Sequence, residues 1–143
     1  MSPRLLDASS ILLLIKTRSR VFRNTPKNFI VLPLTIFEIG NALRTEAYLR
    51  KITTPEKAEA LLYRISRIVN EMTAQKLEAD DPMKILNPAG RCGLSFYDAA
   101  YLNAAVNGGY TLITEDTKLA REASNEGVEV LSTADIRDRP PID

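Results

Sequence analysis

"LSFYDAAYLNAAV", Leu94 to Val106, holds one acid in a stretch that otherwise reads as buried helix. Wound at helical spacing, Asp98 shares a face with Leu94, Tyr101, Leu102 and Ala105. No Lys, Arg or His lies within a turn of it. An unpaired charge facing a core costs several kcal/mol, and a carboxyl so placed tends to take up a proton instead. Three answers are open: the helix reading fails, the acid meets a partner from elsewhere in the chain, or it meets a metal ion.

Working outward, Gly108 and Gly109 stop this helix and "YTLIT" follows as a strand. "TKLAREASNEG" is a helix closed by Gly127, and "VEVLS" is a last strand. In the other direction, "DDPMKILNPAGRCG" starts a helix with Asp81 as cap and Pro82 first, which Pro88 and Gly90 are expected to break. "AQKLEAD" reads as a weak strand. "TPEKAEALLYRISRIVNEM" is a helix capped by Thr54, with Pro55 at its first position. Thr35 to Lys51 is another helix, and "NFIVLPL" before it is a strand ended by Pro33. The beginning, "RLLDASSILLLIK", reads as a short strand ending at Asp7, a turn through Ala8 and Ser9, and a helix. Strands alternating with helices predict an α/β domain with a mostly parallel central sheet. No repeat or Gly/Ser-rich linker divides the 143 residues, so one domain is expected over residues 1–135, with 136–143 a loose tail.

Composition narrows the chemistry. The chain has no His, which removes His-based acid–base catalysis, His-containing triads and nearly all catalytic zinc sites. Its single Cys92 cannot form an internal disulfide. "ILLLI" is too short for a signal-peptide core or a membrane span. A cytoplasmic protein with no membrane association is expected. The net charge of +1 conceals about +5 in the first 30 residues, from Arg4, Lys16, Arg18, Arg20, Arg23 and Lys27 against Asp7. Such a cluster is either a solvated face or a surface for a phosphate backbone.

Most of the 18 acids fit polar helix faces. Four do not. Asp7 and Asp116 each follow an apolar strand, at the carboxyl edge of a parallel sheet, where ligands bind in such folds. Glu38 lies one turn into the helix after the second strand, and Asp98 is the acid described above. Each has a plain reading: Asp7 and Asp116 can cap helices, and Glu38 and Asp98 can complement a helix dipole. If the strands are parallel and the helices start at that edge, all four reach one rim and form a carboxylate cup. Two charges about 4 Å apart repel by about 4 kcal/mol at an effective dielectric near 20. A hard divalent ion, Mg²⁺ or Mn²⁺, removes that conflict and needs no His.

Four segments, "LLDASSILLLI", "PLTIFEIGNALR", "LSFYDAAYLNAAV" and "LITEDTKLAREA", resemble in order the signature segments of the PIN domain. The resemblance is closest to the single-domain ribonuclease toxins of VapBC-type toxin–antitoxin modules. It implies a three-layer PIN-like domain and metal-dependent endonucleolytic cleavage of RNA, by in-line attack of water activated by Mg²⁺ or Mn²⁺. The carboxylates it implies as catalytic and metal-holding are Asp7, Glu38, Asp98 and Asp116. Ser9 and Thr114 match hydroxyl positions that orient the metal or its waters, and Asn41 matches a polar position. The implied partners are RNA, a cognate antitoxin protein and a second copy in a homodimer, with Arg18, Arg20 and Arg23 the candidate RNA path. Glu115 is an extra acid in "TED", expected to point to solvent. Two rivals stand beside this reading. A phosphotransferase using Asp7 as nucleophile would want a second acid two residues later, where this chain has Ser9. A non-catalytic PIN-like scaffold binding RNA or protein would be marked by a lost acid, and none is lost.

Overall fold

Short apolar runs make the centre of the molecule. The computed structural model describes residues 2–23 and 26–137. Its strands are β1 (Arg4–Leu6), β2 (Phe29–Val31), β3 (Thr73–Ala74), β4 (Thr111–Ile113) and β5 (Val130–Leu131). They form one parallel sheet in the order β3-β2-β1-β4-β5, with Leu5 level with Ile30 on one side and Leu112 on the other. Alternation along the strands feeds two cores. Leu5, Ile30 and Leu112 face one layer of helices, while Leu6, Phe29, Val31 and Ile113 face the other. Burial on both faces explains why these strands are continuously apolar.

The first layer holds α1 (Ala8–Lys16), α2 (Thr35–Arg44), α3 (Pro55–Asn70) and the short α7 (Thr133–Ile136). The second holds α4 (Asp81–Cys92), α5 (Phe96–Gly108) and α6 (Thr117–Asn125). This is the expected α/β architecture, with a five-stranded parallel sheet between layers of helices. No described helix is long and apolar enough to cross a membrane.

Several local expectations are corrected. There is no turn at Ala8 and Ser9: Asp7 accepts a hydrogen bond from Ser10 N at 2.9 Å, so α1 begins directly after it. The helix from Thr35 does not run uniformly to Lys51. It widens into a π-helical turn over Thr45–Leu49, with Ala47 buried and Tyr48 and Leu49 exposed. The edge strand lies at Thr73–Ala74, paired with β2, so only the first residue of "AQKLEAD" belongs to it. Asp80, not Asp81, holds the N-cap position of α4, while the Asp81 carboxylate accepts from Glu78 N.

Pro88 and Gly90 do not break α4, which continues to Cys92 and ends at Gly93 in the left-handed conformation. Pro88 removes one backbone bond, but Ile85 and Ala89 on the same helix are buried with Leu94 and Ala99 of the second core. Burying an Ile stabilises by about 2 kcal/mol, which offsets much of the cost of about 3 kcal/mol of a Pro inside a helix. At the other end of the chain, Ser132 and Asp135 form a reciprocal capping box that starts α7. Ile136, assigned above to the tail, is instead fully packed in the first core. Of "RDRPPID", only Arg137 is among the described residues.

Candidate active site

In this strand order the winding reverses between β1 and β4, and the crevice outside their carboxyl ends is where such sheets bind ligands. Asp7 directly follows β1 and Asp116 closely follows β4. Glu38 comes to the same rim in the first turn of α2, and Asp98 in the first turn of α5. All four carboxylates line one cavity of about 220 Å³, with Ser9 and Tyr101. Among the described residues, no basic side chain lines it. A larger, mostly apolar cavity of about 400 Å³ lies between β2, α4 and α5. Asp81 is the sole acid lining it among the described residues; the larger volume and the convergence of carboxylates therefore point to different places, and the expected acids lie in the smaller one.

For two of the acids, capping a helix and lining the cavity turn out to be compatible. Asp7 is buried and caps α1 through Oδ1, which also accepts from Ser9 Oγ at 3.3 Å. Its Oδ2 accepts from Thr114 Oγ1, and Thr114 Oγ1 in turn accepts from Asp116 N at 3.0 Å. Asp116 caps α6 by accepting from Leu119 N at 2.8 Å. Thr114 therefore ties the end of β4 to both cap carboxylates. Two helix N-termini point into the crevice, each bringing an acid with it.

Asp98 and Glu38 carry the electrostatic conflict. Burial raises the pKa of the Asp98 carboxyl above its usual range, and the negative charges of Asp116 and Asp7 raise it further, against a hydrogen bond from Ser95. Burial likewise raises Glu38, as do Asp98 and Asp7, while Tyr101 opposes the shift by donating to Glu38 Oε1 at 2.8 Å. Of the three answers to the Asp98 question, the helix reading therefore stands, and its neighbours are other acids.

These acids are a chemically suitable donor set for a hard divalent ion, being all-oxygen and anionic, with no basic side chain among the described residues lining their cavity. As the side chains lie, no three His, Cys, Asp or Glu among the described residues are grouped closely enough to hold one ion. The carboxylates rest on protein donors instead: Asp7 on Ser10, Ser9 and Thr114, Asp116 on Leu119, Glu38 on Tyr101.

Of the other expected residues, Ser9 and Thr114 both touch Asp7, but Asn41 is exposed and does not line the cavity. Arg18, Arg20 and Arg23 are exposed and are not brought to it either. The reason is the direction of α1, whose nine residues lead away from Asp7 by about 13 Å at 1.5 Å per residue. Glu115 is exposed, as expected, and its carboxylate accepts from Thr133 of α7. From sequence, Tyr101 is only a core residue. Its place one turn after Asp98, on the same face, was the available signal that its hydroxyl could reach the cup.

No family model matches the chain. A curated relative, "Exonuclease VapC9" of Pyrobaculum aerophilum, is 33% identical over 116 residues, which span 80% of this chain and 81% of that protein. The chain belongs to the VapC family of PIN-domain proteins. The crystal structure of PAE2754 from Pyrobaculum aerophilum superposes with a TM-score of 0.77 over 94% of this chain and 93% of that one. At 23% identity that likeness concerns the fold, which is PIN-like. In this VapC-family chain the four acids anticipated from the sequence line one cavity at the carboxyl edge of the sheet.

Proposed function

We propose that this VapC-family protein is a Mg²⁺- or Mn²⁺-dependent endoribonuclease, the toxin of a type II toxin–antitoxin pair. The observation that carries the proposal is the convergence of Asp7, Glu38, Asp98 and Asp116 on one cavity that no basic side chain of the described residues lines. A divalent ion held by these four would supply the positive charge that activates water and stabilises charge developing on a phosphodiester. The chain's own contribution is placement. Ser9 and Thr114 fix Asp7, the α1 and α6 N-termini fix Asp7 and Asp116, and Tyr101 fixes Glu38.

The relative is named an exonuclease, so the test separates the two modes of cleavage. A circular RNA, which has no end, is expected to be opened in the presence of Mn²⁺ and left intact in EDTA. A linear RNA shortened from one end, with the circle untouched, would replace the endonuclease reading with an exonuclease one.

Arg18, Arg20 and Arg23 follow the far end of α1 and do not line the cavity, and we assign them to phosphates of a longer strand. Replacing all three with Gln is expected to leave cleavage of a trinucleotide unchanged. For long single-stranded RNA it should flatten the salt dependence of log K by about 2, at about 0.7 per lost phosphate contact. An unaltered slope would place the RNA path elsewhere.

For the antitoxin, the exposed apolar side chains of Phe37, Tyr48, Leu49 and Tyr63 on α2, the π-helical turn and α3 offer a surface for an apolar segment. A basic antitoxin side chain entering the cup would relieve the same repulsion as a cation. A complex in which the cavity stays open to solvent would count against this arrangement.

A further inference from the structure

Glu38 is held by a chain of hydroxyls that begins outside the acidic cavity. Tyr101 Oη donates to Glu38 Oε1 at 2.8 Å and lies 2.6 Å from Thr35 Oγ1. Tyr101 is 1% exposed and Thr35 is fully buried, so bulk solvent reaches neither hydroxyl and each bonds within the protein. A phenol has one proton, and an ionised carboxylate only accepts. With the Tyr101 proton on Glu38, the Thr35 hydroxyl must donate to Tyr101. The order Thr35 to Tyr101 to Glu38 follows from counting donors.

The chain joins two layers of the fold. Thr35 and Glu38 are three residues apart on one face of α2, and Tyr101 reaches between them from α5, across the sheet edge. Thr35 is the first residue of α2, behind a Leu34 cap that supplies no side-chain hydrogen bond. Its hydroxyl serves Tyr101. Glu38 sits in the first turn with its carboxylate only half-buried, and a glutamate has three side-chain torsions to restrain. The bond from Tyr101 supplies that restraint while occupying only Oε1.

We propose that Tyr101 and Thr35 are positioning residues for divalent-cation binding, holding Glu38 by one oxygen so that the other is available to the ion. The inference rests on the metal-binding reading of the cavity given above. Outer partners of metal ligands typically change affinity by about 10- to 100-fold when removed.

The test is calorimetric titration of the purified protein with Mn²⁺, which needs no substrate. Tyr101→Phe keeps the ring in the core and removes the hydroxyl; it is expected to weaken Mn²⁺ binding about tenfold or more. Thr35→Val should weaken it less, and the double variant should be no worse than Tyr101→Phe, because Thr35 acts through Tyr101. In a Glu38→Gln background, Tyr101→Phe should change the affinity no further. Equal loss in both backgrounds would mean a general structural role and overturn the proposal. So would unchanged Mn²⁺ affinity in Tyr101→Phe while the wild type binds. A wild type that binds no Mn²⁺ would instead overturn the metal reading of the cavity and this proposal with it. If Tyr101→Phe does not fold, Thr35→Val against Glu38→Gln forms the same cycle.

Discussion

Asp98→Asn is expected to reduce metal-dependent RNA cleavage about a thousandfold and, at neutral pH without metal, to raise the thermal midpoint. The first effect follows from charge. A metal site lends a phosphoryl transition state several kcal/mol, and at 1.4 kcal/mol per tenfold a loss of about 4 kcal/mol gives that factor. The second follows from the direction of the Asp98 shift, raised by burial and by Asp116 and Asp7. A carboxyl with a higher pKa when folded binds protons better in the folded than in the unfolded state. Folding stability therefore falls as pH rises from the ordinary carboxyl range through the raised value. Asn carries no charge and does not lose that stability.

Thermal unfolding at several pH values between about 4 and 8 measures this directly. The advantage of the variant over the wild type should grow with pH and disappear toward the acid end. Saturating Mn²⁺ should reverse the order, since ligand bound only to the folded state stabilises the wild type by mass action. A variant less stable than the wild type at neutral pH would mean that Asp98 has a partner that its surroundings do not reveal. Retained cleavage would remove Asp98 from the site.

Asp7→Ala is expected to act in the opposite sense on stability while also abolishing cleavage. Asp7 is 5% exposed and serves Ser10 N, Ser9 Oγ and Thr114 Oγ1 together. Loss of an N-cap costs about 1 kcal/mol, and a buried hydroxyl left without its acceptor costs about 1–3 kcal/mol more. A total near 3 kcal/mol corresponds to a midpoint lower by roughly 10 °C in a domain of this size. Asp7→Asn, which can still accept from Ser10 N, should recover part of the stability and none of the cleavage. Urea unfolding of the two variants separates these contributions. If Asp7→Ala were no less stable than the wild type, the capping and Thr114 bonds would carry no net stability.

One cup thus contains acids of two kinds. Asp7 and Asp116 are integrated into helix starts, whereas Asp98 and Glu38 are held against burial and against each other. The sequence displayed both kinds without distinguishing them. Asp after an apolar strand looks the same whether it caps a helix, holds an ion or does both, and here the cap geometry uses Oδ1 of each.

Local chemistry in the sequence was enough for the alternation of strand and helix, for Thr54 and Pro55 starting α3, and for the burial of the Tyr101 face of α5. The absence of His and the placement of four acids at strand ends and helix starts were enough to nominate the cup. These features depend on neighbours within a turn or on strand order, and short-range periodicity reports them faithfully. Tertiary structure alone decided what depends on contacts between distant segments. The continuation of α4 through Pro88 was decided by its packing on α5, and the burial of Ile136 by the first core. The hydroxyl chain from Thr35 through Tyr101 to Glu38 spans 66 positions of sequence. The removal of Arg18, Arg20 and Arg23 from the rim follows from the direction α1 takes, a consequence of the β1 strand that launches it at Asp7. A hydrogen bond or a burial needs two partners to meet, and no single stretch of sequence states where its partner will be.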